Sequence, residues 1–65
     1  MYNTEQIWVL VRRAVNFGVN RWGKKEVMAI QLGAYWLEGY MDALQLPDED
    51  RNVLRQTINN YKFDD

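Results

Sequence analysis

The stretch from Lys24 to Leu46, KKEVMAIQLGAYWLEGYMDALQL, decides the fold of this 65-residue chain. Its apolar side chains recur every three or four residues, the spacing of a helix that packs against another helix. This first stripe consists of Val27, Ile30, Ala34, Leu37, Met41 and Leu44. From Val27 onward, four polar residues interrupt the apolar run, two of them charged, so it is not a membrane span. The stretch therefore predicts a long central helix over residues 24–46.

A second apolar stripe runs along the same predicted helix, about 110° around from the first. It consists of Ala29, Gly33, Trp36, Tyr40 and Ala43. A helix that is apolar on nearly all sides has to be buried on nearly all sides. We therefore expect a homodimer built on this helix. Either stripe can form the interface, and we favour the second, whose small residues let two backbones approach closely. In the alternative, the other helices of the same chain cover both stripes.

A shorter helix is predicted on each side of the central one. The first spans about residues 4–17, because Asn3 is a good N-cap, Gln6 completes a capping-box variant and Gly18 is a suitable stop. The last spans about residues 48–62, where a proline and three acidic residues favour a helix start. The expected fold class is all-α, a single three-helix domain over residues 1–65 that forms a helical homodimer.

Length and composition limit what can stabilise this fold. A chain of this size buries only about 60% of its unfolded surface. There is no Cys and no His, so disulfides and the usual zinc ligands are absent, and no metal or cofactor is expected. The chain is 48% hydrophobic, which is too apolar for a disordered segment. Oligomerisation is the remaining way to add burial.

The charge is unevenly distributed along the chain. Residues 1–27 carry five basic and two acidic side chains, giving +3, and residues 28–65 carry three basic and seven acidic side chains, giving −4. Solvated helix surface is the ordinary interpretation. The basic segment 12–25 is also a candidate contact for an acidic partner or for nucleic acid, which is the alternative function. The candidate residues are Arg12, Arg13, Arg21, Trp22, Lys24 and Lys25.

Two stretches resemble ligand-binding loops without completing them. Residues 18–25, GVNRWGKK, match a phosphate-binding loop until Lys25, which stands where a hydroxyl should hold Mg²⁺. A helix precedes it instead of a strand, so a turn between helices is expected. The acidic run that begins at Asp48 starts like a calcium loop, but Val53 and Asn59 occupy the positions that need Gly and Glu. Neither stretch predicts a site.

Catalysis is not expected. The chain has no Ser, Cys or His, which removes the usual nucleophiles and the usual general base. Glu38 and Asp42 are one helical turn apart and could raise each other's pKa, as a catalytic acid pair does. Three short helices offer no obvious pocket for them, however. No small-molecule substrate is predicted, and a protein–protein interaction or regulatory module is the favoured function.

The chain resembles the small accessory proteins from the early regions of temperate, lambda-like bacteriophages. The resemblance lies in a short helical chain without Cys or His, and in residues 7–25, IWVLVRRAVNFGVNRWGKK, and 46–58, LPDEDRNVLRQTI. It implies a regulatory protein that binds a host or phage protein, and it assigns no functional residue. The N-terminus has no basic-then-apolar leader, so a cytoplasmic location is expected.

Overall fold

The computed structural model describes residues 2–64, and all of their regular structure is helical. Helix α1 spans Thr4–Trp22, α2 spans Val27–Leu44 and α3 spans Asp48–Asn59. The predicted all-α class and the three helices are confirmed. The central helix is not the longest, because α2 has 18 residues and α1 has 19.

The N-terminus of α1 has the predicted capping box. The Asn3 side chain accepts a hydrogen bond from the backbone N–H of Gln6 at 2.8 Å. The Gln6 side chain accepts one in return from the backbone N–H of Asn3 at 3.0 Å. Two helix-end donors are thereby satisfied, which fixes where α1 begins.

The C-terminus of α1 differs from the prediction. The helix continues through Gly18 to Trp22 and stops at Gly23, whose φ of 93° is left-handed. The Gly23 N–H donates to the carbonyl of Val19 at 2.7 Å, as is usual at a glycine that ends a helix. The assignment of Gly18 as the stop was wrong, because Gly18 has a packing role inside the helix.

Helix α2 is shorter than the predicted span 24–46. It begins after Glu26, whose carboxylate accepts a hydrogen bond from the Trp22 indole N–H across the turn. It ends at Leu44, and its C-cap Gln45 is a non-glycine residue with a φ of 52°. Lys24 and Lys25 therefore lie in the α1–α2 turn and not in the helix.

Helix α3 begins at Asp48 as predicted, with three acidic residues in its first turn. Pro47 is its N-cap and not its first helical residue. The helix ends at Asn59, short of the predicted residue 62. The acidic run is therefore placed at the positive end of the helix dipole, where negative charge is favourable.

Helices α1 and α2 form an antiparallel hairpin whose backbones touch. A Cβ added to Gly18 would lie 1.8 Å from the carbonyl oxygen of Ala29, and one added to Gly33 would lie 2.4 Å from that of Ala14. Real Cβ atoms do not come so close, so only glycine fits at either position. We call these four residues the small-residue seam.

The core lies beside this seam, where α3 packs on one side of the hairpin. It consists of Leu10, Val11, Ala14, Val15, Leu37, Met41, Leu54 and Ile58. In the predicted first stripe of α2, Leu37 and Met41 are fully buried, whereas the end residues Val27 and Leu44 are exposed. The middle of the first stripe is therefore buried within the chain, and both of its ends are exposed to solvent.

Candidate functional site

Three aromatic rings are stacked in a row on the side of the hairpin away from α3. Phe17 of α1 stacks on Trp36 of α2 with ring centroids 6.2 Å apart. Trp36 stacks on Tyr40, one turn further along α2, at 5.3 Å. Phe17 is exposed, and Trp36 and Tyr40 are half-buried. The row is therefore part of the surface as well as an edge of the core.

The small-residue seam explains why the rings lie there. Backbones in contact leave no space for large side chains between the helices, so large residues pack at the flanks. Phe17 directly precedes Gly18 on α1, and Trp36 follows Gly33 by nearly one turn on α2. The two rings are thus brought together across one flank of the seam.

Helix α3 covers the opposite flank. It packs Leu54 and Ile58 into the core and contacts the polar side of α2. Glu38, which binds α3, lies about 160° around α2 from Trp36 at 100° per residue. Helix α3 therefore leaves the row uncovered, and α1 and α2 bury it only in part.

The uncovered surface continues along α1. Val9 and Arg13 precede Phe17 at intervals of one turn and are exposed. With Tyr40 they line a hollow of about 230 Å³, which is completed by Tyr2, Glu5, Gln6 and Leu10. We call the surface formed by Val9, Arg13, Phe17, Trp36 and Tyr40 the aromatic face.

The structure divides the residues predicted to form a dimer stripe. Ala29 and Gly33 are buried against α1 of the same chain, so they are not available to a second copy. The prediction that these two residues form a dimer interface is therefore wrong. Two backbones do approach closely there, but they are α1 and α2 of the same chain. Trp36 and Tyr40 belong to the aromatic face, and Ala43 is exposed further along α2.

The predicted basic residues are all exposed, but they do not form one patch. Arg12 and Arg13 are neighbours in sequence and point about 100° apart around α1. Arg13 lies on the aromatic face, whereas Arg12 lines a different hollow with Trp8 and Lys62. The remaining candidates lie at or near the α1–α2 turn: Arg21, Trp22, Lys24 and Lys25.

Glu38 and Asp42 are held separately by two arginines of α3. Arg55 donates two hydrogen bonds to the Glu38 carboxylate, at 2.6 and 2.8 Å. Arg51 donates to Asp42 at 2.6 Å and to the carbonyl of Leu46 at 2.7 Å. The hydrogen bonds from Arg55 hold the pKa of Glu38 below its usual range, and that carboxylate in turn raises the pKa of Arg55.

These contacts correct the expected rise in the pKa of Glu38. Asp42 does act on Glu38 in that direction, but the hydrogen bonds from Arg55 outweigh it. A carboxylate with a lowered pKa is a poor proton donor near neutral pH. The acids instead attach α3 to α2.

The sequence carries a signal for the small-residue seam. Ala14 and Gly18 are spaced by four residues on α1, and Ala29 and Gly33 have the same spacing on α2. Small residues at this spacing are typical of helices in close contact. The aromatic row is harder to predict, because it requires the pairing of α1 with α2.

Within residues 2–64, no helix is both long and apolar enough to cross a membrane. Comparison of the chain with protein-family models, curated proteins and solved structures finds no match.

Proposed function

We propose that this chain is a small, non-enzymatic protein–protein interaction module whose contact surface is the aromatic face. The observation that supports this proposal is the stacked row of Phe17, Trp36 and Tyr40 on the flank that α3 leaves uncovered. Aromatic residues and Arg are enriched at the centres of protein interfaces, and Arg13 lies on the same face. Stacking also holds the rings in place, which reduces the entropy lost on binding.

The first partner that we propose is a second copy of the chain. Only one flank of the hairpin is covered by α3, and a homodimer would remove apolar surface of the other flank from water. From the resemblance to phage accessory proteins, we further propose a regulatory role in the cytoplasm, in which the same module binds a host or phage protein.

Sedimentation equilibrium across micromolar concentrations tests the proposal. We expect a dimer, and we expect Phe17→Asp to shift it towards monomer because a charge would replace an interface ring. The control is Val53→Asp on α3, since Val53 is 40% exposed and Phe17 is 39% exposed. Circular dichroism verifies that both variants fold. A wild-type monomer at all concentrations, or equal weakening by both variants, would overturn the proposal.

Nucleic-acid binding through the basic segment is the second candidate. It is favoured by the exposure of Arg21, Lys24 and Lys25 at one end of the hairpin. Trp22, beside them, offers a ring on which a base could stack. Fluorescence anisotropy with labelled single-stranded and duplex DNA tests it. Binding that weakens steeply with salt and disappears in Lys24→Glu/Lys25→Glu would support it, and salt-independent or absent binding would reject it.

A further inference from the structure

We infer that two copies of the chain meet through α1 in an antiparallel arrangement, with the two-fold axis beside Val9. In this arrangement, Arg13 of each copy pairs with the partner's Glu5. The inference rests on the proposed function, because it specifies how a second copy meets the α1 part of the aromatic face, Val9, Arg13 and Phe17.

The surface of α1 has a ridge suited to such a contact. Glu5, Val9, Arg13 and Phe17 follow one another at intervals of four residues, and all four are exposed. Each interval moves about 6 Å along the helix and about 40° around it. Two such ridges that interdigitate cross at about −50°, the commonest packing angle of helices in globular proteins.

The charges on this ridge are arranged symmetrically with opposite signs. Glu5 and Arg13 lie one turn before and one turn after Val9. A two-fold interface pairs residue i with residue j and residue j with residue i. An antiparallel axis beside Val9 therefore forms both oppositely charged pairs at once, about 6 Å to either side of the axis.

The opposite orientation of the two helices is disfavoured by the same charges. In a parallel arrangement, Glu5 would face the partner's Glu5 and Arg13 would face the partner's Arg13, and like charges in contact oppose association. Among residues 2–64, neither Glu5 nor Arg13 takes part in an ion pair within its own chain. Both side chains are thus available for the partner, and the antiparallel register follows.

The same rotation brings the exposed part of a stacked ring towards a hollow. Phe17 is carried towards the partner's Tyr2, which lines the hollow of about 230 Å³ at the N-terminal end of α1. Val9 meets the partner's Val9 on the axis. Each copy thus supplies one ring and one hollow, and the exchange is reciprocal, as a two-fold interface requires.

Charge reversal tests this register, with the dimer dissociation constant measured by sedimentation equilibrium. We expect Arg13→Glu and Glu5→Arg each to raise the constant about tenfold or more, because each replaces two attractive pairs with two repulsive ones. The double variant, Glu5→Arg/Arg13→Glu, restores both pairs in the opposite sense and should return the constant close to the wild-type value. The matched control is Arg12→Glu, the same charge change about 100° away around α1.

The outcomes distinguish this inference from the proposal on which it rests. If Arg12→Glu weakens the dimer as much as Arg13→Glu, or if the double variant is not restored, the register is wrong. A dimer that Phe17→Asp still weakens would then keep the aromatic face as an interface with a different register. A wild-type monomer at every concentration would overturn both.

Discussion

Helix α2 is held by its two neighbours in different ways. Against α1, the two backbones touch, at Gly18 with Ala29 and at Gly33 with Ala14, and side chains pack beside this contact. Against α3, the contact is between long side chains: Leu54 and Ile58 enter the core, and two arginines bind carboxylates of α2. The contact with α1 thus includes a close approach of two backbones, whereas the contact with α3 consists of side chains.

This difference determines how each contact responds to a substitution. A backbone cannot move aside without moving its whole helix, so the small-residue seam has no tolerance for added atoms. Long side chains can change rotamer, so neighbouring side chains can repack around a substitution and reduce its cost in stability. We therefore expect substitutions in the α1–α2 contact to lower the free energy of unfolding more than substitutions in the α2–α3 contact.

The largest expected effect comes from Gly33→Leu. Its Cβ would lie 2.4 Å from the carbonyl oxygen of Ala14, so α1 would have to separate from α2. We expect a loss of about 3 kcal/mol or more in the free energy of unfolding, a large fraction of the stability of a small domain. Urea denaturation followed by circular dichroism measures it.

Gly39 provides the control for this substitution. It also lies within α2, but a Cβ added there would have no heavy atom within 4 Å. Gly39→Ala should therefore stabilise the chain by about 0.5–1 kcal/mol through helix propensity alone. Equal destabilisation by Gly33→Leu and Gly39→Ala would contradict the backbone contact between α1 and α2.

A smaller effect is expected on the α3 side, from Leu54→Ala. Leu54 is fully buried, and its truncation leaves a cavity that side chains of α1 and α2 can partly fill. We expect a loss of about 2–3 kcal/mol, in the lower part of the range for such substitutions. The same urea experiment measures it, and a loss exceeding that of Gly33→Leu would reverse the comparison.

The smallest effect concerns the pair between Glu38 and Arg55. The pKa of Glu38 is lowered in the fold by the hydrogen bonds from Arg55, so the pair stabilises the chain fully above the ordinary glutamate pKa of about 4.3. The stabilisation is lost as the pH falls through the lower pKa of the folded state. A double-mutant cycle with Glu38→Gln and Arg55→Gln should give a coupling that is constant near neutral pH and disappears in acid. A coupling that grows in acid would contradict the geometry.

Much of the fold could be predicted from local signals. The capping box at Asn3 and the acidic start of α3 depend on neighbours in sequence, and both have the predicted positions. The role of Gly18 could not be assigned in the same way, because a glycine near the end of a predicted helix is equally suited to stopping it or to contacting another backbone. Only the pairing of α1 with α2 distinguishes the two.

The candidate site was predicted in part for the same reason. Trp36 and Tyr40 were identified from the periodicity of α2, but their stacking partner Phe17 comes from another helix. Arg12 and Arg13 point in different directions because of helical geometry alone. The predicted basic segment nevertheless groups them, because it is defined by proximity in sequence. Sequence neighbours on a helix point in different directions, and residues one turn apart share a face.

The small-residue seam also bears on the order in which the chain folds. Its contacts join two helices that are consecutive in sequence, across the short turn that ends at Glu26. Closing a short loop costs little entropy, and folds built from local contacts form quickly. We therefore expect α1 and α2 to pair early in folding. Helix α3 then docks on a hairpin that already exists.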